Sequence, residues 1–250
     1  MLMSVRGAIA ATLLAGTALA ASPALAQDAE VPSDITVSAN VSLTSDYRFR
    51  GVSLSDGDIA IQGGFDVSHE SGFYVGTWAS SLDESGGYGS TELDLYGGWS
   101  GDLGGATVDV GLLYYAYPNA PGAAGDYNYW EPYAKVSSTF GPATVTGGIA
   151  YAWKQDSLGG DDNLYLYGDV EVGVPNTPIT ISGHLGYTDG VLAPPLLAGS
   201  TDDTGLDWSI GASATVVGPL SVSLAYVGVE GPSIDSYTND AVVATLSASF

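Results

Sequence analysis

A two-residue alternation over sixteen residues, Ile35 to Arg50, most constrains what this chain can fold into. Every even position in the stretch is polar, and every odd position except Ser45 is apolar or aromatic. Because successive side chains of a β-strand point to opposite faces, the pattern predicts a strand with one apolar and one polar face. Strands usually span about 5–6 residues, whereas a tilted membrane-spanning strand needs roughly 9–11. The stretch therefore predicts the first strand of a transmembrane β-barrel, with its apolar face towards lipid.

The same alternation recurs along the chain and predicts twelve strands. Their connections alternate between short turns, such as residues 101–105, and long segments, such as residues 189–204. Twelve up-and-down strands require this alternation when both ends of the barrel domain lie on one side. The prediction is an all-β protein, a 12-stranded antiparallel up-and-down transmembrane β-barrel with short periplasmic turns and longer extracellular loops. It forms a single domain over residues 35–250, in which the faces of the third strand, residues 73–82, are left unassigned.

The N-terminal residues have the features of an export signal. Arg6 precedes an apolar core, and Ala24-Leu25-Ala26 is a small-x-small cleavage site. This pattern predicts a Sec-type signal peptide over residues 1–26, which is removed on export. A short acidic lead, residues 27–34, would then lie in the periplasm, and the barrel would lie in the outer membrane of a Gram-negative bacterium.

The predicted outward faces of eleven strands contain no charged residue. A charge on the lipid face costs about 2–4 kcal/mol at mid-membrane, so a barrel would avoid it. A soluble sandwich also keeps one face apolar, and the absence of charge alone does not separate the two folds. Aromatic residues at strand ends favour the barrel, since they mark the membrane interfaces. The predicted interface aromatics are Tyr47, Phe49, Trp99, Trp130, Trp153, Trp208 and Phe250.

The polar faces would together form an acidic lumen. The chain has a net charge of −23, which excludes nucleic-acid binding because that function needs a basic surface. Nine acids and only three bases point inward in this layout, which predicts mild cation selectivity. The candidate pore-lining residues are Asp46, Arg48, Arg50, Asp66, Glu92, Asp94, Asp109, Glu131, Lys135, Asp169, Glu171 and Asp207.

The two arginines of the opening stretch, Arg48 and Arg50, leave two arrangements open. They could pair with neighbours such as Asp46 and Asp66. Alternatively, they could face the acids of the opposite wall across a constriction and set up a transverse field. The opposite wall carries Glu131, Asp169 and Glu171.

Three segments carry a family resemblance. They are LTSDYRFRG (43–51), AIQGGFD (60–66) and SGFYVGTWAS (71–80). This region resembles the N-terminal signature of the TorF porin family, also known as gcw_chp, a family of uncharacterised bacterial outer-membrane proteins. The resemblance implies an outer-membrane channel of undefined substrate, and it supplies no catalytic or binding residues.

The main function hypothesis is passive diffusion of ions and small solutes. The alternatives are a structural or adhesive barrel with a closed lumen and a soluble periplasmic β-protein. Catalysis is not predicted, because the two histidines, His69 and His184, are not accompanied by a GxSxG or similar motif. No cofactor or dedicated metal site is predicted, although acidic pairs such as Asp161-Asp162 could bridge divalent ions weakly. Predicted partners are outer-membrane lipid, small solutes or ions, and the barrel-assembly machinery, which would recognise the terminal strand through Phe250.

Overall fold

The computed structural model describes residues 34–121 and 127–250, and shows a closed barrel of twelve antiparallel strands. The predicted signal peptide lies outside the described residues. The strands in chain order are β1 (Ile35–Thr44), β2 (Arg48–Phe49), β3 (Val52–Ser53), β4 (Ala60–His69), β5 (Phe73–Ser81), β6 (Thr91–Leu103), β7 (Ala106–Ala116), β8 (Tyr129–Phe140), β9 (Ala143–Ala152), β10 (Asn163–Gly173), β11 (Ile179–Gly190), β12 (Thr204–Val217), β13 (Leu220–Val229) and β14 (Ala241–Ser249). All except β2 and β3 belong to the barrel.

The barrel closes where the first strand meets the last. In β1, Val41 lies opposite Ala248 of β14 on one side and Gly63 of β4 on the other. Every other barrel strand pairs with its sequence neighbours, so the predicted up-and-down topology is confirmed. The loops hold one short α-helix, α1 (Pro194–Leu197), and two 3-10 turns, Glu84–Gly86 and Asp156–Leu158. No helix in the described ranges is long and apolar enough to cross a membrane.

Short and long connections alternate as predicted. The turn between β6 and β7 has only two residues, Gly104 and Gly105, with φ of 65° and 96°. A two-residue hairpin turn with both φ positive is of type I′, which matches the twist of the paired strands and favours glycine. The longer loops lie at the opposite end of the barrel, and two of them, residues 45–59 and 191–203, contribute buried side chains.

The barrel wall separates apolar outward side chains from polar inward ones. On β5, which the sequence left unassigned, Phe73 and Val75 are 64% and 61% exposed, whereas Tyr74 is buried inside. This strand is difficult to assign from sequence because Gly76 carries no side chain and small or hydroxyl residues occupy both faces. Its outward face continues the apolar surface of the neighbouring strands.

Two wall glycines give a matched test of which face is packed. A Cβ at Gly98, on the inward face, would clash with the carbonyl oxygen of Val110, whereas a Cβ at Gly147, on the outward face, would meet nothing within 4 Å. We expect Gly98→Val to lower the free energy of unfolding by about 1–3 kcal/mol through overpacking. Gly147→Val should leave stability unchanged or raise it, because valine favours strands. Denaturant titrations in detergent micelles measure both, and equal losses would contradict this assignment of faces.

The first barrel strand is shorter than predicted. It ends at Thr44, and the chain then leaves the wall and turns into the barrel interior, where β2 and β3 form a separate two-stranded sheet. Alternation continued to Arg50 because a hairpin strand has the same two-residue period as a wall strand. The one polar exception on the odd face, Ser45, marks the departure: its hydroxyl accepts a hydrogen bond from the amide of Ala244.

The inward turn makes two of the predicted interface aromatics wrong. Tyr47 is 2% exposed and packs beside Trp78 inside the barrel, and Phe49 packs edge-on against Tyr115. Their rings fill the lumen because the backbone that carries them has left the wall. The side chains of Trp130, Trp153 and Phe250 are about two-fifths exposed on the outer surface, and Trp99 and Trp208 are partly exposed there. For these five residues, a place at the membrane interface stays a prediction.

Candidate channel site

The barrel interior contains a hairpin, residues 46–55, which we call the plug hairpin. Its tip is a two-residue turn formed by Arg50 and Gly51, with φ of 48° and 80°, the type I′ signs. Gly51 lies against the wall at β12 and β13: a Cβ there would be 3.1 Å from the Cβ of Asp207 and would clash with Val229. The hairpin thus turns from the end of β1 into the lumen beside β12 and β13, which are three and two places from β1 in the closed strand order.

Arg50 fastens the hairpin tip to the wall. Its Nη2 lies 2.8 and 2.7 Å from the two carboxylate oxygens of Glu131 on β8, and both side chains are almost fully buried. The guanidinium also stacks over the rings of Phe49 and Tyr165, at 4.7 and 4.1 Å from their centroids. Of the three acids expected to face the arginines across a gap, only Glu131 pairs with Arg50. It does so directly, because the arginine is carried across the lumen on the hairpin.

Arg48 organises the base of the hairpin. Its Nε donates to Asp46 at 2.5 Å, and its Nη1 donates to the carbonyl oxygens of Gly51 and Asn239 at 3.1 and 2.7 Å. Asp46 also accepts hydrogen bonds from Ser53 and Ser55. Arg48 therefore pairs with one of its predicted neighbours, Asp46. It does not pair with Asp66, which accepts a hydrogen bond from Tyr96.

Aromatic and acidic side chains fill the half of the lumen nearest the long loops, around the plug hairpin. We call this the outer half. Tyr47 donates to Glu92 at 2.9 Å, and the rings of Tyr115 and Tyr129 stack 4.4 Å apart. Glu92 and Asp94 are both buried. In the loop above, burial raises the pKa of Tyr88 to about 12, so this side chain remains a neutral hydroxyl near neutral pH. The outer half is packed like a protein core, although much of its surface is polar.

The half of the lumen nearest the short turns is less filled. Lys135 lies 3.4 Å from Asp109, which also accepts a hydrogen bond from Tyr74. Asp66 and Glu171 are partly exposed, and neither forms an ion pair with the described residues. These two carboxylates without an ion pair give this half an excess of negative charge.

His184 bridges two acids on neighbouring strands. Its Nδ1 lies 2.6 Å from Asp169 on β10, and its Nε2 lies 2.9 Å from Asp207 on β12. Tyr165 contacts the same Nε2 at 2.9 Å. A carboxylate at each ring nitrogen favours the doubly protonated imidazolium, because a carboxylate oxygen accepts a hydrogen bond from each N–H. His184 thus adds a fourth cation to the lumen. A count of lumen charges that treats histidine as neutral does not include it.

A family profile described as "Bacterial protein of unknown function (Gcw_chp)" matches residues 28–250. The chain belongs to the Gcw_chp family. This confirms the gcw_chp part of the predicted resemblance, whereas the TorF name is not confirmed. No curated protein matches this Gcw_chp chain significantly.

Solved structures of outer-membrane porins resemble this Gcw_chp barrel. The NanC porin in a rhombohedral crystal form matches with a TM-score of 0.55 and 12% identity, covering 86% of this chain and 99% of the porin. The COG4313 outer membrane channel from Pseudomonas putida F1 has a TM-score of 0.48 and 10% identity, with 88% and 96% of the two chains covered. At such low identity, the similarity to NanC shows a shared fold and nothing more.

The structure places all twelve candidate pore-lining side chains of the Gcw_chp barrel inside it. Five of them form contacts that involve the plug hairpin, namely Asp46, Arg48, Arg50, Glu92 and Glu131. Whether any of the twelve lines an open pore stays a prediction. Sequence reasoning missed Tyr165 and His184 as members of the charged network, and the inward course of the hairpin. The polar Ser45 was the visible signal for the latter.

In the part of the chain that the structure describes, no group of three or more His, Cys, Asp or Glu residues is placed to hold a metal ion. Asp161 pairs with Lys154 at 3.0 Å, and Asp162 accepts a hydrogen bond from Tyr151. These contacts occupy the acidic pair that the sequence offered for divalent ions.

Proposed function

We propose that this protein is a passive channel of the bacterial outer membrane for ions and small solutes, with a mild preference for cations. The observation that carries the proposal is a closed barrel whose outward face is apolar and whose inward face is charged. Water is absent from the hydrocarbon region, so charged inward positions are compatible with a membrane span only when protein partners or lumen water solvate them. Charge and water inside a lipid-embedded barrel are the requirements for ion conduction.

The charge distribution supports the cation preference. Nine inward carboxylates face four cations once His184 is included, and the unbalanced carboxylates include the partly exposed Asp66 and Glu171. A negative potential in a narrow, low-dielectric passage concentrates cations and depletes anions. Because salt screens this field, the preference should weaken as ionic strength rises.

The plug hairpin limits the size of what can pass. Twelve strands give a lumen between the filled eight-stranded barrels and the open channels of 16–18 strands. Here Tyr47, Phe49 and Arg50 occupy its outer half. We infer that only ions and small solutes pass.

Neutralising the two partly exposed lumen carboxylates that lack an ion pair tests the selectivity. In Asp66→Asn combined with Glu171→Gln, we expect the cation-to-anion permeability ratio to fall towards one, because the variant removes negative charge from the less filled half of the lumen. Reversal potentials in planar bilayers under a KCl gradient measure the ratio. Asp202→Asn, in an exposed outer loop, is the matched control and should leave it unchanged. An unaltered ratio in the double variant would contradict the proposed origin of the selectivity.

The same hairpin favours a second candidate function, a structural or adhesive barrel with a closed lumen. Its buried tip and its packing against the wall are what a permanent plug requires. A refolded barrel that conducts no current under any condition would favour this alternative over the channel.

A further inference from the structure

The plug hairpin is attached to the barrel differently from every wall strand. β2 and β3 pair only with each other and share no ladder of backbone hydrogen bonds with the wall. Among the described residues, two backbone bonds tie the hairpin to distant segments: Ser53 donates to Tyr237, and Leu54 accepts from Asp83. Both partners lie in loops. The hairpin could therefore leave the lumen without breaking any strand pairing of the barrel.

Side chains hold the plug hairpin against the wall, and Arg50 supplies the charged contact. Among the described residues, Arg50–Glu131 is the only ion pair between the plug hairpin and a barrel strand. The other arginine, Arg48, pairs within the hairpin itself and with the loop above it. Tyr47 adds a single hydrogen bond to Glu92. The tip contact through Arg50 is thus the charged attachment to the wall, beside the ring contacts of Tyr47 with Trp78 and of Phe49 with Tyr115.

The boundary between hairpin and wall contains buried polar atoms without a protein partner. They include Nη1 of Arg50, Oδ1 of Asp94 and Oδ2 of Asp207. A buried polar atom without a partner is costly, and it regains hydrogen bonds when water reaches it. An apolar plug would have no such compensation on leaving. Here, the hydration of these atoms offsets part of the packing free energy that the hairpin gives up when it withdraws.

We propose that the plug hairpin is a displaceable gate and that Arg50 is the latch that keeps it in the lumen. The proposal deepens the proposed channel function by assigning a regulation to the same lumen. The latched hairpin occupies the outer half of the passage and restricts flow. Withdrawal of the hairpin removes Arg50 and the rings of Tyr47 and Phe49 from the lumen. The lumen then becomes wider and more negatively charged.

Cysteine labelling tests the gate independently of ion flow. The chain has no cysteine, so Val52→Cys places a single thiol on β3, where the native side chain is 2% exposed. The protein is refolded in lipid vesicles and treated with a membrane-impermeant maleimide. We expect slow labelling of V52C, and labelling faster by about tenfold or more when R50A is added, which corresponds to about 1.4 kcal/mol of lost closing free energy. E131Q, which keeps the shape of Glu131 but not its charge, should act in the same direction.

The matched control is Lys154→Ala, which breaks an ion pair whose side chains are 66% and 64% exposed and should leave the labelling rate unchanged. Equal labelling of V52C with and without R50A, in protein with folded gel mobility, would overturn the gate. Loss of the folded form in both R50A and E131Q would also overturn it, because the pair would then be needed for the barrel itself. Faster labelling without any ion current would support the gate and contradict the channel, whereas current with unchanged labelling would do the opposite.

Discussion

Leu224→Arg is expected to lower the free energy of unfolding in a lipid bilayer by about 2–4 kcal/mol, the cost of an arginine at the midplane of the lipid face. Leu224 lies in the middle of β13, is 59% exposed, and points away from the lumen. If this face contacted water, an arginine there would be tolerated, since surface substitutions usually change stability by less than about 0.5 kcal/mol. The size of the loss therefore reports whether lipid or water covers the outer surface.

The adjacent residue supplies the control for that substitution. Ser223 lies opposite Ser213 and Thr245 on the inward face, where the paired side chains are hydroxyls. Ser223→Arg should cost much less than Leu224→Arg, because the lumen can hydrate the guanidinium and attract it. Equilibrium urea titrations of both variants in vesicles make the comparison. Equal stabilities of L224R and the parent protein would contradict the assignment of this face to lipid.

His184→Gln is expected to lower the free energy of unfolding by about 2–4 kcal/mol and to increase cation preference. The variant leaves Asp207, which is 3% exposed, without a cationic partner inside the barrel. Breaking a buried ion pair by removing one member leaves an uncompensated charge, which costs about 3–5 kcal/mol. The expected loss is somewhat smaller because Asp169, the other partner, is one-third exposed. Losing a lumen cation at the same time makes the interior more negative.

The other histidine, His69, provides the control for the His184 substitution. His69 lies at the end of the barrel with the short turns, and both it and its contact Asp34 have side chains that are 44% exposed. His69→Gln should change stability by less than about 1 kcal/mol, as is usual for exposed pairs. Denaturant titrations and reversal potentials are measured on both variants. If the His184 variant behaved like the His69 variant in both, the imidazolium bridge would not hold the lumen together.

The sequence predicted the barrel because strand periodicity and turn length are local properties. Alternation assigns Leu93, Leu95 and Trp99 to the outward face of β6 without reference to any other strand, and the structure agrees. The same locality explains the failure at residues 46–55. A hairpin strand inside the lumen and a strand in the wall have the same period, so no pattern within the segment distinguishes them.

The charged network of the site was only partly predictable for a different reason. The two-residue alternation along each strand predicted that Glu131, Asp169 and Asp207 point inward, because the direction of a side chain depends only on its position in its own strand. Which groups pair depends on register between strands and on the path of the hairpin. His184 meets both Asp169 and Asp207 only because the pairing of β11 with β10 and β12 aligns them. Contacts of this kind join residues far apart in sequence, and composition carries no signal for them.

Single-channel recording of the refolded protein in planar bilayers tests the central claim most directly. The claim is that the Gcw_chp barrel conducts ions through an acidic, hairpin-restricted lumen. It predicts discrete current steps, reversal potentials that show cation preference under a KCl gradient, and larger steps in R50A than in the parent protein. The absence of current steps from both proteins, after their folded barrel state is verified by heat-modifiable gel mobility, would contradict it.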